Sequence, residues 1–160
     1  MYKIIEISEN DIYASAEIIR NAFKTVADEF GLTMETAPTH GAFLKDEKLF
    51  GEYRKGIKMF GLFEEGTQIG FAAVEHNDKK TFYLEKLAVL PGYRHKGYGL
   101  ALMDFAADYV KKAGGIAISI GIIYENKQLL EWYKKYGFKE TGIKIFEHLP
   151  FTVCFMNLEV

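Results

Sequence analysis

Six residues near the middle of the chain, Arg94-His95-Lys96-Gly97-Tyr98-Gly99, have the types and the spacing to hold an anion. They follow an extended segment that Pro91 and Gly92 stop, and they open a segment with helical periodicity. The first turn of a helix presents unpaired backbone N–H groups and the positive end of the helix dipole, which together hold a phosphate. Gly97 and Gly99 lack a Cβ, so a phosphate can reach the backbone, while Arg94 and Lys96 add charge at the mouth. The arrangement reads as a pyrophosphate cradle. It is not a P-loop, because Tyr98 and Gly99 stand where Lys and Ser or Thr are required. Nor is it a dinucleotide fingerprint, because Leu102 occupies the place of the third small residue.

The elements that must position this loop follow from the patterning around it. Residues 2–7 read as a short strand, and Ser8 with Asp11 offers a helix cap. Ile12, Ala16, Ile19, Phe23, Val26 and Phe30 then form one apolar stripe, ended by Gly31. A second helix is expected over about 42–55. Residues 57–64 and 68–76 read as strands joined by a Glu65-Gly66-Thr67 turn, and a third strand runs over about 80–90. The helix opened by Gly97 runs to Lys112, where Gly114-Gly115 ends it.

In the next strand, 116–122, Ile116, Ile118, Ile120 and Ile122 face one way while Ala117, Ser119 and Gly121 face the other. One face suits a core, and the other lets something lie close. Asn126 can cap a last helix whose inward residues are Leu129, Trp132, Tyr133 and Tyr136, with Glu131 placed to pair with Lys135. Two strands, about 138–147 and 152–159, close the chain. The order β-α-α-β-β-β-α-β-α-β-β makes an α/β fold, a mixed central sheet with flanking helices.

Composition limits the function. The 160 residues are 49% hydrophobic and 26% charged, a globular balance for a single domain spanning 1–160. A net charge of −2 provides no basic field, so no nucleic-acid partner is expected. No apolar run approaches the roughly 20 residues that span a bilayer, so no membrane partner is expected either. One cysteine, Cys154, excludes an intrachain disulfide and reads as a small core residue. With no signal-like N-terminal layout, the expected location is the cytoplasm.

Arg94-x-x-Gly97-x-Gly99 resembles the Arg/Gln-x-x-Gly-x-Gly/Ala signature of the GCN5-related N-acetyltransferase (GNAT) superfamily. The preceding Leu84-Glu85-Lys86-Leu87-Ala88-Val89-Leu90-Pro91 is similar to the strand before that signature. Downstream, Asn126 and Tyr133, the latter four residues before Gly137-Phe138, match the family's Asn…Tyr-x-x-x-Gly-Phe pattern. The resemblance covers nearly the whole chain and implies an acetyl-CoA-dependent N-acetyltransferase that needs no metal. It implies that amides from His95 through Lys96, Gly97, Tyr98 and Gly99 to Leu100 bind the CoA pyrophosphate. The strand Leu87-Ala88-Val89 would pair with the pantetheine arm, and Asn126 would lie near it. The Val89 N–H would serve the thioester oxygen, and Tyr133 would protonate the departing thiolate.

Glu85 is the best candidate to take the proton of the attacking amine, and simple alternation places it on the face of Leu87 and Val89. A bulge in the strand would upset that count. His76, His40 and His148 are weaker candidates. The acceptor site is expected from the first two helices, their loop and the last strand pair, which bring Phe23, Phe30, Phe43, Phe146, Phe151, His40 and His148. The acceptor itself, a small amine or a peptide N-terminus or lysine, is left open, as is a homodimer. Blander explanations stand beside these: Tyr133 as a core tyrosine, Glu85 as the ion partner of Lys86, the histidines as loop residues. A catalytically silent acyl-CoA sensor of the same fold would keep the loop without needing Tyr133.

Overall fold

The computed structural model describes residues 1–78 and 80–160. Its elements are β1 (Tyr2–Glu6), α1 (Ile12–Phe30), α2 (Asp46–Arg54), β2 (Lys58–Glu64), β3 (Thr67–His76), β4 (Thr81–Val89), α3 (Tyr98–Lys112), β5 (Ala117–Ile123), α4 (Lys127–Tyr136), β6 (Lys139–Ile145) and β7 (Thr152–Glu159). The order is the one the sequence predicts. Asp11 accepts the Ser8 N–H at 2.9 Å in a short turn that feeds α1, and Gly31 ends α1 at φ 64°. Glu65 and Gly66, at φ 49° and 81°, make the tight β2–β3 turn.

The strands form one sheet, β1-β2-β3-β4-β5-β7-β6. All neighbours are antiparallel except β4 and β5. Helices α1 and α2 cover one face, where Ile12, Ala16, Ile19 and Leu49 pack on Met59, Phe71, Ala73 and Ala88. On the other face Leu102, Met103, Ala106 and Val110 of α3, with Leu130 and Tyr133 of α4, pack on Leu62, Val74, Leu84, Ile118 and Ile120. Each large side chain buried in this way stabilises the fold by about 1.5–3 kcal/mol.

Two irregularities in β4 decide where the site lies. First, β4 pairs with β5 only over Thr81–Tyr83 against Ala117–Ser119, so from Leu84 onward the two parallel strands diverge. Second, Phe71 pairs with Ala88 and Ala73 with Glu85, leaving Lys86 and Leu87 opposite the single residue Ala72. This is a β-bulge, and Lys86 adopts φ 54° to make it. A bulge bends its strand, which is the physical reason β4 leaves β5.

Some local expectations need correction. The second helix starts at Asp46, because a one-turn 3-10 segment at Gly41–Phe43 takes up the chain before it. Ile116 precedes β5 and is exposed; its N–H is held by Lys80 O. On α4 Leu130 and Tyr133 are buried, while Leu129, Trp132 and Tyr136, half-buried, face inward and pack against the same core as expected. Glu131 faces Lys134 rather than Lys135, at 4.0 Å, and Lys134 reaches Glu140 at 2.7 Å. Cys154 is buried, as its alternation predicts.

Candidate active site

The N-terminus of α3 presents a run of unpaired amides, the donor set that a helix start offers to an anion. None of the backbone N–H groups from His95 to Leu100 donates to another group among the described residues; the next, Ala101, bonds Gly97 O at 3.0 Å. The run turns because His95 and Gly97 adopt φ 63° and 85°, the left-handed region that suits glycine. A Cβ at Gly97 would meet nothing within 4 Å, so open space faces the amides there. At Gly99 the nearest atom belongs to Trp132 of α4, at 3.7 Å, so this glycine gives room to a helix. The Tyr98 hydroxyl donates to Glu64 at 2.8 Å, so only the Tyr98 amide faces the cradle, and Lys96 lies over the Tyr93 ring at 5.7 Å.

Arg94 departs from expectation. Its N–H bonds Pro91 O, and its guanidinium donates to Val89 O at 3.2 Å, Thr25 Oγ1 at 2.9 Å and Ala22 O at 2.7 Å. The charge expected at the mouth of the cradle is held against α1.

The gap between β4 and β5 runs on from this loop. Leu90 N–H bonds Ile69 O in β3, so by alternation the N–H and C=O of Val89 turn to the opposite edge, toward the gap. Arg94 takes that C=O, which leaves the Val89 N–H facing the gap. Leu87 and Val89 pack their side chains on the α3 side, whereas Ala88 is buried on the α1 side.

Because of the bulge, Glu85 does not share a face with Leu87 and Val89. Its partner Ala73 belongs to the α1–α2 core, so Glu85 lies on that side. There it meets a small charge cluster. Lys86 Nζ is 2.7 Å from Glu52 Oε1 of α2 and 3.6 Å from Glu85 Oε2. Burial, together with Glu75 and Glu52, raises the Glu85 carboxyl from its usual range to about 7, against the opposing pull of Lys86. A carboxylate poised there can accept a proton near neutral pH.

Tyr133 lies on the other face, 6% exposed, with its ring edge against Trp132 and Phe138 at 5.0 and 5.2 Å. Its hydroxyl has no hydrogen-bond partner among the described residues, and burial pushes its pKa up. It is therefore a neutral proton donor. Asn126 caps α4, its Oδ1 accepting the Leu129 N–H at 3.2 Å.

Of the residues expected at the acceptor side, Phe30 joins Val26, Phe43, Phe151 and the buried Ile123 in a separate apolar cluster, where α1 and its following loop meet the end of β5. His40 adjoins it: Nδ1 accepts the Ala42 N–H at 3.2 Å, the ring lies edge-on to Phe23 at 5.5 Å, and burial lowers its pKa. His148 is exposed on the β6–β7 loop beside Phe146, at 5.6 Å, outside that cluster.

Compared with known families, residues 23–138 match the acetyltransferase (GNAT) family. The chain belongs to the GNAT acetyltransferase family. An uncharacterised N-acetyltransferase of Mycobacterium bovis is 30% identical over 116 residues, covering 69% of this chain and 74% of that one. One of Methanocaldococcus jannaschii is 32% identical over 84 residues, 49% of this chain, and the match spans 37% of that longer protein. Among solved structures, the PaiA N-acetyltransferase of Thermoplasma acidophilum in complex with coenzyme A superposes with a TM-score of 0.81 at 22% identity, covering 100% and 99% of the two chains. The ribosomal-protein-S18-alanine N-acetyltransferase of Escherichia coli gives 0.80 at 20% identity, covering 100% and 94%.

This GNAT chain also holds site residues that sequence reasoning missed. Glu52 and Glu75 join Glu85 only in three dimensions, beside the Lys86 already expected as its ion partner. Glu52 and Glu75 left no signal, lying 33 and 10 positions from Glu85 on other elements. Thr25 and Ala22 left none.

Proposed function

We propose that this GNAT acetyltransferase acts as one domain over its 160 residues and transfers the acetyl group of acetyl-CoA to a primary amine, by direct attack in a ternary complex. The residues present fit the cofactor. The free amides of His95–Leu100 would hold its pyrophosphate, and the β4–β5 gap would admit its arm beside Leu87 and Val89. Bound there, acetyl-CoA supplies an activated thioester.

The observation that carries the reading is the direction of the Val89 N–H. It faces the gap, with Glu85 on one side of the sheet and Tyr133 on the other. The amide would stabilise the oxygen on which charge develops. Glu85 would take the proton of the attacking amine, and the Tyr133 hydroxyl would return one to the thiolate. The acceptor enters from the α1–α2 side, past Phe30 and His40, as a small-molecule amine or a peptide N-terminus or lysine.

The test is thiol release from acetyl-CoA across a panel of diamines, amino acids, aminoglycosides and peptides. Turnover with any amine, and acetylated product by mass, is expected. Tight acetyl-CoA binding with no turnover across the panel would overturn the enzyme reading in favour of a sensor.

A further inference from the structure

We infer that Arg94 is a positioning residue that ties the acceptor-side helix α1 to the end of β4, so that filling the α3 cradle and ordering the acceptor wall become one event. The inference rests on the reading that the cradle holds CoA.

The geometry is specific. Arg94 begins the loop whose amides are free, yet its own N–H is bonded to Pro91 O and contributes nothing to the cradle. Its guanidinium, a rigid fork of donors, spans two elements. Nε donates to Val89 O at 3.2 Å, the carbonyl of the residue whose N–H faces the β4–β5 gap. Nη1 and Nη2 donate to Thr25 Oγ1 at 2.9 Å and Ala22 O at 2.7 Å, in the second half of α1. Ala22 O also accepts from the Thr25 hydroxyl at 3.0 Å, so Thr25 holds the receiving end of the clamp in place.

The same stretch of α1 carries Val26 and Phe30 into the apolar cluster that they share with Ile123 at the end of β5 and with Phe151. A ligand that orders residues 95–100 fixes the Cα of Arg94, and the fork passes that constraint to α1. Coupling of this kind is reciprocal, so an ordered α1 also favours the cradle. Lysine cannot substitute, because a single ammonium cannot bridge both elements with this geometry.

Hydrogen exchange with and without coenzyme A separates a clamp from a phosphate ligand. In the wild type, coenzyme A should slow exchange at 95–101 and also at 22–30. In Arg94→Met it should still protect 95–101, with affinity within about fivefold of wild type and an unchanged dependence on salt, while protection at 22–30 disappears. Thr25→Val, a mild change outside the cradle, should lower protection at 22–30 in the same direction, and it keeps the test alive if Arg94→Met folds poorly.

Two results overturn the inference while leaving the cofactor reading in place. One is protection at 22–30 that survives in both variants. The other is an affinity loss beyond about thirtyfold in Arg94→Met with a shallower salt dependence, which would make the side chain a phosphate ligand. A wild type that coenzyme A protects nowhere would sink the cofactor reading itself, and this inference with it.

Discussion

Glu85 and Tyr133 lie on opposite faces of the sheet, Glu85 beside α2 and Tyr133 on the buried side of α4, where β4 has parted from β5. A proton acceptor and a proton donor placed on two sides of one opening suit a reaction in which an amine arrives from one side and a thiolate leaves on the other. Neither group has to exchange roles during a turnover.

The Glu85 carboxyl, held at about 7 by burial, makes the rate depend on pH in a defined direction. Only the ionised form accepts a proton, so kcat/KM should rise as pH passes through about 7. Glu85→Gln should remove that limb and lower kcat by roughly 10²–10⁴-fold. Stability should respond in the opposite sense. The folded state holds this proton more tightly than the unfolded chain, so its contribution is complete below the unfolded value of 4.5 and is lost as pH rises through about 7. Glu85→Gln should therefore gain on wild type at about pH 8 relative to about pH 5, by on the order of 1–2 kcal/mol after solvent screening. Thermal melts at the two pH values measure it, and a difference independent of pH would remove the carboxyl from the account.

Lys86 and the carboxylates around Glu85 should move the same limb in opposite directions. Lys86 opposes the upward shift, so Lys86→Met should carry the limb to higher pH. Glu75 raises it, so Glu75→Gln should carry the limb lower. Glu52 pushes the same way but also holds Lys86 at 2.7 Å, which makes Glu75→Gln the cleaner test. A pH–rate profile of each variant decides it, and identical limbs in both would detach Glu85 from the rate.

What the sequence reveals depends on how local each feature is. The cradle is written in consecutive residues, so its amides and the glycine at 97 can be read directly along the chain. The helix boundary at Gly31 and the cap at Asn126 are local too, and both stand. The face of Glu85 is a different matter. One extra residue in β4 turns every side chain before it to the other face, and Lys86 enters the left-handed region without being a glycine. The task of Arg94 was hidden for another reason, since its partners lie 69 and 72 positions away on a helix surface with no chemical signature. The apolar cluster around Phe30, where the acceptor is proposed to enter, is drawn from α1, its following loop, β5 and the β6–β7 loop, and only packing brings those segments together.

Tyr133→Phe should lower kcat by roughly 10²–10⁴-fold while leaving coenzyme A affinity nearly unchanged. The hydroxyl has no partner among the described residues, and the ring, which packs on Trp132 and Phe138, is retained. The fold should therefore lose little. Calorimetric binding beside steady-state kinetics checks both halves, and an unchanged kcat would take Tyr133 out of the mechanism.

His40 should make the α1–α2 loop sensitive to acid. Its Nδ1 accepts the Ala42 N–H, which a protonated imidazole cannot do. Burial lowers its pKa, so the neutral form belongs to the fold, and the stability it contributes is present above about 6.5 and lost as pH falls through the lower folded value. Proteolysis within 36–44 should quicken in the wild type as pH falls below the ordinary imidazole range, and the pH dependence should be absent in His40→Asn. Equal pH dependence in the two would assign the effect elsewhere.

Gly97 and Gly99 should respond differently to the same added methyl group, although both belong to the motif. Gly97 sits at φ 85°, where an alanine costs about 1–2 kcal/mol, and its missing Cβ opens onto the space before the free amides. Gly97→Ala should lower the melting temperature and weaken coenzyme A, and Gly97→Val, with two more methyl groups in that space, should abolish binding. Gly99 is not in the left-handed region, and a Cβ there meets Trp132 at 3.7 Å, an ordinary contact. Gly99→Ala should fold normally and bind coenzyme A within a fewfold of wild type. Isothermal titration of the three variants orders them, and a Gly99→Ala loss as deep as that of Gly97→Val would move the cradle one turn further into α3.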